Sequence, residues 1–308
     1  MPFDSIVSFE ETNMTRCFAL LIVSVMSVPA GSQEPLRLKD VAYGTHERQV
    51  LDFYQAKSDR PTPVIFHVHG GGWHAGGKFI VPQLYLDQGI SVVSINYRFT
   101  TNAVEEKIEP PVKAPLEDAA RALQFVRTKA TEWNIDKTRI AGNGASAGAC
   151  SVLWLAFHDD LADPSSSDPV SRESTRFSCV AVHSAQVSLD PKELLEWMPN
   201  YFYGAHAFGY RNLKDVLKDR EKLLPWIKQY SPIEHVSRDD PPVMMFYQGN
   251  AKPIVGDSPM DPTHSAIMGI QLEERLKAVG IDVVLIHPGR LHPQYKFTAD
   301  YLIDRLRK

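Results

Sequence analysis

Short apolar runs alternate with amphipathic segments along most of this 308-residue chain, and that alternation restricts the possible folds more than any other feature. The runs predict strands, and the segments between them have apolar residues at helical spacing. Strands that alternate with helices form mainly parallel sheets with helices on both faces. The predicted strands are 64–69, 91–97, 138–142, 179–182, 243–247 and 281–286, and the predicted helices are 115–131, 146–157, 263–279 and 294–307.

The composition is that of an ordinary globular protein. Hydrophobic residues make up 44% of the chain, the formal net charge is −4, and the pI is about 6.3. These values exclude collagen-like, low-complexity and disordered chains. A nucleic-acid partner is not expected, because proteins that bind nucleic acid usually carry a basic patch and a high pI. Residues 31–308 are predicted to form one domain that opens with an antiparallel hairpin over 40–56.

The apolar run from Cys17 to Val28 predicts a secretory signal peptide. It is shorter than the roughly 20 residues that span a bilayer, Arg16 precedes it, and small residues at its end place the cut after Ala30. Met14 is the expected initiator, with residues 1–13 an upstream over-extension. The alternative is a buried or interfacial helix. The mature protein is therefore predicted to be exported, periplasmic or secreted, and without a stable membrane anchor.

Residues 188–235 interrupt the alternation between two core strands. This mostly helical segment is predicted to be a cap-like insertion after the sixth strand. Its aromatic residues suit an aryl or sugar-bearing ligand by stacking and apolar burial. The alternative is ordinary packing of the insertion onto the core. These residues are Trp197, Tyr201, Phe202, Tyr203, Phe208 and Tyr210.

Gly144-Ala-Ser146-Ala-Gly148 lies between a predicted strand and a predicted helix. In that context G-x-S-x-G forms a sharp turn that exposes the serine hydroxyl at the start of the helix. The residues two positions on either side of the serine must be small because the turn is so tight. Ser146 is therefore the candidate nucleophile.

A second glycine motif, His69-Gly-Gly-Gly72-Trp73, follows the strand 64–69. Its glycines let backbone N–H groups approach a substrate closely. Together with the N–H of Ala147, they predict an oxyanion hole beside Ser146. A phosphate-binding loop is disfavoured because no Gly-Lys-Ser/Thr follows at the required spacing.

These motifs, with Asn96-Tyr97-Arg98 between them, resemble those of α/β-hydrolases, most closely the hormone-sensitive-lipase-like and feruloyl- or acetyl-esterase-like carboxylesterases. The resemblance covers roughly residues 40–305. It implies an α/β-hydrolase fold, and it implies that Gly71 and Gly72 supply oxyanion donors.

The general base is expected to be a late histidine, since this fold carries its triad in the order serine, acid, histidine. The candidates are His264, His287 and His292. His287 belongs to the last strand's apolar run, which favours packing, and His264 begins a helix. The resemblance favours His292, because the family places its histidine in the loop between the last strand and the last helix.

The acid is harder to predict because Lys252 occupies the family's acid position. In the family pattern, a serine that opens a helix lies eight residues after the acid. Counting back eight residues from Ser265 therefore favours Asp257 as the acid, with an insertion before it. Asp261 is the alternative acid, although its place before Pro262 also predicts a helix N-cap. A chain without a functional acid remains a third possibility.

The predicted activity is hydrolysis of carboxylic esters, small or carbohydrate-linked, through an acyl-enzyme. No cofactor and no metal are expected, and no Cys/His spacing predicts a zinc site. The alternative is a catalytically inactive binding protein of the same fold, suggested by the displaced acid. Cys150 and Cys179 are expected to be buried thiols, and export leaves a disulfide open. The sequence does not specify the oligomeric state.

Overall fold

A sheet of eight strands organises the structure, a computed structural model that describes residues 34–249 and 252–308. The predicted signal peptide lies outside these residues and stays a prediction. The strands are β1 (Arg37–Ala42), β2 (Val50–Tyr54), β3 (Thr62–Val68), β4 (Ser91–Ile95), β5 (Ile135–Ala145), β6 (Cys179–His183), β7 (Val243–Phe246) and β8 (Val283–Ile286).

The helices are α1 (Gln83–Leu86), α2 (Thr100–Glu105), α3 (Lys113–Thr128), α4 (Ala147–Phe157), α5 (Pro191–Trp197), α6 (Leu213–Lys218), α7 (Arg220–Tyr230), α8 (Ala266–Val279) and α9 (Thr298–Arg307). Three short 3₁₀ helices cover Ala205–Phe208, Pro232–His235 and Pro262–His264. The sequence pattern did not predict α1 and α2.

The sheet order is β1-β2-β4-β3-β5-β6-β7-β8. β1 pairs antiparallel with β2, and β2 with β4, whereas all other neighbours are parallel. The predicted mainly parallel α/β-hydrolase sheet and its antiparallel opening hairpin are therefore confirmed. Parallel neighbours bring the carboxyl ends of β3, β5 and β6 to the same edge, and the candidate site lies at that edge.

Alternate residues of the central strands pack against different helices. Val64, Phe66 and Val68 of β3 belong to the larger core cluster, which contains buried residues of α3, α4 and α8. Ile65 belongs to a second cluster with residues of α1 and α9. Because successive strand residues point to opposite faces, helices cover both faces of the sheet, as predicted.

The insertion after β6 is helical, with α5, α6 and α7 between β6 and β7. Most of its aromatic side chains pack into the protein: Trp197, Tyr201 and Phe208 are buried in the larger core cluster. Phe202 is the exception, with 66% of its surface exposed. Packing onto the core therefore accounts for most of this aromatic segment.

The two cysteines of the described part, Cys150 on α4 and Cys179 on β6, are buried free thiols. Burial raises the pKa of both thiols, that of Cys179 to about 12. Neither is therefore reactive at neutral pH. Within the described ranges, no helix is long and apolar enough to cross a membrane.

A buried ion pair joins α3 to the loop after β4. The Arg98 guanidinium donates to both carboxylate oxygens of Asp118 at 2.7–3.1 Å, and the Gln49 amide donates to the same carboxylate at 2.7 Å. Only 2% of the Asp118 side chain is exposed. This network explains the arginine of the Asn96-Tyr97-Arg98 motif, since it anchors the strand end to α3.

We predict that Asp118→Asn lowers the free energy of unfolding by about 3 kcal/mol, because it removes the buried carboxylate and leaves Arg98 only its partly exposed pair with Glu106. The control is Asp168→Asn, whose partner Arg121 forms a partly exposed pair that should contribute less than about 1 kcal/mol. Urea unfolding of both variants measures the difference. Equal losses would contradict a structural role for the buried pair.

Candidate active site

Ser146 lies at a strained turn between β5 and α4. Its backbone has φ 51° and ψ −123°, a conformation that residues with a side chain rarely adopt. The Ser146 N–H donates to the carbonyl oxygen of His183 at the end of β6, at 2.9 Å. The turn therefore holds the serine at the carboxyl edge of the sheet.

The flanking glycines are required by close backbone contacts. A Cβ added at Gly144 would lie 2.6 Å from the carbonyl oxygen of Gly148. A Cβ added at Gly148 would overlap the carbonyl oxygens of Val68 and His69 on the neighbouring strand. The turn can form only where both positions lack a side chain.

The glycine loop after β3 runs directly against the serine turn. A Cβ at Gly70 would lie 3.4 Å from the Cβ of Ser146, and Gly71 and Gly72 have φ values of +105° and +62°. Among the described residues, the N–H groups of Gly71, Gly72 and Ala147 donate to no protein acceptor. The arrangement offers three backbone donors for a developing negative charge.

His264 is the histidine that contacts Ser146. Its Nε2 lies 2.9 Å from the Ser146 Oγ, and its Nδ1 lies 2.8 Å from the Asp261 Oδ2. An ionised carboxylate only accepts, so the Nδ1–H donates to Asp261 and leaves Nε2 free to accept the serine proton. The serine hydroxyl, the imidazole and the carboxylate are therefore joined by a continuous chain of hydrogen bonds.

The carboxylate and the imidazole come from a single turn, since Asp261 is the N-cap of the 3₁₀ helix Pro262–His264. The Asp261 Oδ1 accepts the backbone N–H of His264 at 3.3 Å, while the Oδ2 accepts from its ring. The N-cap role predicted for Asp261 is thus combined with contact to the imidazole.

The predicted pairing of Ser146 with His292 is wrong in this structure. The His292 Nδ1 accepts the backbone N–H groups of Gln294 and Tyr295 at 3.3 and 3.2 Å, and its ring stacks on Tyr295. These local contacts occupy the imidazole within its own loop. His287 is buried at the end of β8, where its Nδ1 donates to the carbonyl oxygen of Pro288.

Asp257, predicted as the acid, is not the carboxylate beside the base. It is exposed, and its backbone N–H donates to the carbonyl oxygen of Ile254. The four-residue difference from Asp261 matters because Asp261 starts the turn that carries His264.

The turn is held from two sides. The buried Gln186 donates its amide to the carbonyl oxygen of Thr263 at 2.8 Å. From the insertion, Asn200 donates to the carbonyl oxygen of Pro259 at 2.7 Å, and the carbonyl of Trp197 accepts the N–H of Gly256 at 2.8 Å. The insertion therefore supports the loop that carries Asp261.

Two other histidines near the site are neutral at pH 7. Burial lowers the pKa of His69 to about 4. Burial, together with the nearby His264, also lowers the pKa of His183. Neither ring therefore adds a positive charge beside Ser146.

A cavity of about 670 Å³ opens next to His264 and Asp261. Its lining combines polar side chains, among them Gln248, Lys252 and Asp257, with apolar ones such as Met260. No group of three or more His, Cys, Asp or Glu residues that could hold a metal occurs in the described ranges.

Comparison with protein-family models shows which family the chain belongs to. The family model BD-FAE matches residues 51–261, more than half of the chain. The chain belongs to the BD-FAE family. The match includes Ser146 and both glycine motifs, and it ends at Asp261, so it does not discriminate between His264 and His292.

Curated relatives are esterases by name. Gut esterase 1 of Caenorhabditis briggsae is 37% identical over 122 residues, which are 37% of this chain and 22% of the relative. An esterase of Gibberella moniliformis is 23% identical over 80% of this chain and 71% of the relative. The alignment thus spans only about a fifth of the gut esterase.

Solved structures agree on the fold. A truncated carbohydrate esterase from gut microbiota superposes with a TM-score of 0.66 at 21% identity, covering 91% of this chain and 99% of that one. At this identity the likeness establishes the α/β-hydrolase fold.

We predict that Gly148→Ala lowers the free energy of unfolding by at least about 3 kcal/mol, because the opposing backbone carbonyls cannot move aside as a side chain would. The control is Gly77→Ala in the neighbouring loop, where a Cβ would meet only the Asn96 Oδ1 at an ordinary 3.5 Å. Thermal unfolding measures both. Equal melting temperatures for the two variants would contradict the packing described for the turn.

Stability should fall with acidity because of His69. Its folded pKa of about 4 lies below the unfolded value of about 6.5. Between these values the unfolded chain binds a proton that the folded chain does not, so the free energy of unfolding decreases as pH falls. At pH 4 this difference in proton binding by His69 should lower the free energy of unfolding by about 3 kcal/mol relative to pH 7.

Urea unfolding at pH 7, 6 and 5 tests this expectation. The His69 Nδ1 donates to the carbonyl oxygen of Gly70 at 2.6 Å. The variant His69→Asn retains a donor for that carbonyl but does not titrate, so its stability should depend less on pH. The same pH dependence in both proteins would assign the effect to other groups.

Proposed function

We propose that this chain is a serine esterase that hydrolyses carboxylic esters through an acyl-enzyme on Ser146. The observation that carries the proposal is the row of hydrogen bonds from the Ser146 Oγ through His264 to Asp261, at 2.9 and 2.8 Å. Family membership and the names of the curated relatives support the same reaction class.

In the first step the Ser146 Oγ attacks the ester carbonyl while the His264 Nε2 takes its proton. Negative charge develops on the carbonyl oxygen, which the N–H groups of Gly71, Gly72 and Ala147 bind. Each such donor contributes roughly 2.7–4 kcal/mol to transition-state stabilisation. Asp261 stabilises the imidazolium and keeps the Nε2 directed at the serine.

The second step releases the two products. His264 returns its proton to the leaving alkoxide, and the alcohol departs from the acyl-enzyme. A water molecule then attacks the acyl carbonyl while His264 accepts its proton. His264 donates that proton to the Ser146 Oγ as the carboxylic acid departs, which restores the free serine. Apart from this water and the ester, the steps use side chains and backbone groups of this chain.

The alcohol part of the substrate is proposed to be a sugar or another small polyol. The cavity that adjoins His264 and Asp261 offers Gln248 and Lys252 as hydrogen-bond partners for hydroxyl groups. A similarly folded protein is a carbohydrate esterase by its title, which supports this class of alcohol.

We predict that Ser146→Ala and His264→Ala each lower kcat for p-nitrophenyl acetate by about 10⁴-fold or more. His292→Ala is the matched control, and it should retain activity within about threefold, since that imidazole contacts its own loop and not the serine. Initial rates of p-nitrophenol release at saturating substrate measure kcat for all three variants.

Two results would overturn parts of this account separately. A wild-type rate no higher than that of Ser146→Ala would reject the esterase, and would favour a binding protein of the same fold. An active His264→Ala beside an inactive His292→Ala would keep the esterase and reassign its base.

The acid is tested by Asp261→Asn with Asp257→Asn as its control. We expect Asp261→Asn to lower kcat on the order of 10²-fold, less than a buried triad acid, because 62% of its side chain is exposed and water partly replaces it. Asp257→Asn should change kcat little. The reverse order of activities would assign the acid to Asp257.

A further inference from the structure

The insertion after β6 contacts the oxyanion loop at Gly72. The His206 Nε2 lies 2.6 Å from the Gly72 carbonyl oxygen. The hydroxyl oxygen of Tyr203 occupies the space where a Cβ on Gly72 would stand. Both side chains come from the segment 203–206, at the start of the 3₁₀ helix Ala205–Phe208.

The hydrogen bond has a defined direction. The carbonyl of Gly72 can only accept, so His206 carries its proton on Nε2. Burial, with a smaller effect of His74, lowers the pKa of His206, so the ring is neutral at pH 7. His206 is further enclosed by His74, Tyr203 and Trp73, with ring centroids 5.1, 5.2 and 6.3 Å away.

The two central carbonyls of the loop are held differently. The carbonyl oxygen of Gly71 accepts the N–H groups of His74 and Ala75 at 3.1 and 3.0 Å, within the loop itself. For the carbonyl of Gly72, His206 is the single partner among the described residues. Gly72 and Trp73 both have positive φ, at 62° and 57°. The loop itself thus holds the peptide unit between Gly71 and Gly72, whereas the unit between Gly72 and Trp73 depends on the insertion.

We propose that His206 is a positioning residue of the oxyanion hole. It holds the peptide unit between Gly72 and Trp73 and, with Tyr203 packed on the same glycine, fixes the position of the Gly72 Cα, on which the place of the Gly72 N–H depends. This inference rests on the proposed esterase function. Tyr203 packs on the same glycine and prevents the loop from shifting towards the insertion. The insertion thereby contributes to catalysis without supplying a group that touches the reacting atoms.

The test compares His206→Phe with wild type. Phenylalanine keeps the aromatic contacts and removes the N–H donor. Loss of a direct oxyanion donor costs about 10²–10³-fold in kcat, so loss of its support should cost about tenfold. The KM for p-nitrophenyl acetate should stay within about twofold, and the inhibition constant of a boronic acid, which mimics the tetrahedral intermediate, should rise about tenfold.

His235→Phe is the matched control. The His235 Nε2 donates to the carbonyl oxygen of Gln229 at 2.8 Å, and burial lowers its pKa as well, but it lies outside the candidate site. Its loss should affect melting temperature but not kcat. A merely structural role for His206 predicts the same behaviour for both variants, measured well below their melting temperatures.

A second pair keeps the test decisive if His206→Phe does not fold. The amide nitrogen of His206→Gln can take the place of Nε2, whereas that of His206→Asn is too short to reach Gly72. The proposal expects kcat near wild type for the glutamine and about tenfold lower for the asparagine. Equal values would overturn it.

These outcomes are separable from failure of the proposed function. If wild type and Ser146→Ala turn over equally slowly, the esterase itself is rejected. If wild type is active, depends on Ser146, and shares its kcat with His206→Phe, only the role of His206 is rejected.

Discussion

The backbone contact between the serine turn and the end of β3 is the constraint on which the rest of the site depends. Gly148 meets the carbonyl oxygens of Val68 and His69 without room for a Cβ. That contact ties the start of α4 to the strand from which the glycine loop emerges. Ser146 and two of the candidate oxyanion donors are thus placed by one approach of two backbone segments, and the strained backbone of Ser146 is supported by the buried sheet beneath it.

The side of the site that carries Asp261 and His264 is built differently. Asp261 and His264 lie on one turn, and Asp261 both caps that turn and contacts the imidazole. The turn is held by Gln186 from the strand side, and Asn200 of the insertion holds the loop that precedes it. The same insertion reaches Gly72 through His206. One inserted segment therefore contacts both the loop before His264 and the glycine loop after β3, and in the proposed mechanism it supports the base and the oxyanion hole.

The features that depend on local sequence could be predicted from it. The strand and helix periodicities gave the parallel sheet, and the glycines around Ser146 and after His69 indicated tight turns whose geometry the structure contains. The partner histidine could not be predicted in this way. Which loop passes over Ser146 depends on contacts of residues 252–261 with the insertion, and these contacts are distant in sequence. The position of Lys252 suggested a missing acid, and hence an inactive protein, but the carboxylate beside the base is supplied by Asp261 on the turn itself. The sequence does contain a signal for this pair: the run Asp-Pro-Thr-His at 261–264 places a carboxylate three residues before an imidazole, within one turn.

The most direct test of the central claim is a crystal structure of the protein after reaction with a fluorophosphonate. The account predicts an adduct on the Ser146 Oγ, with a phosphonyl oxygen within hydrogen-bond distance of the N–H groups of Gly71, Gly72 and Ala147. It also predicts that the His264 imidazole is the one that faces the adduct. An adduct on another residue, or His292 in the place of His264, would contradict it.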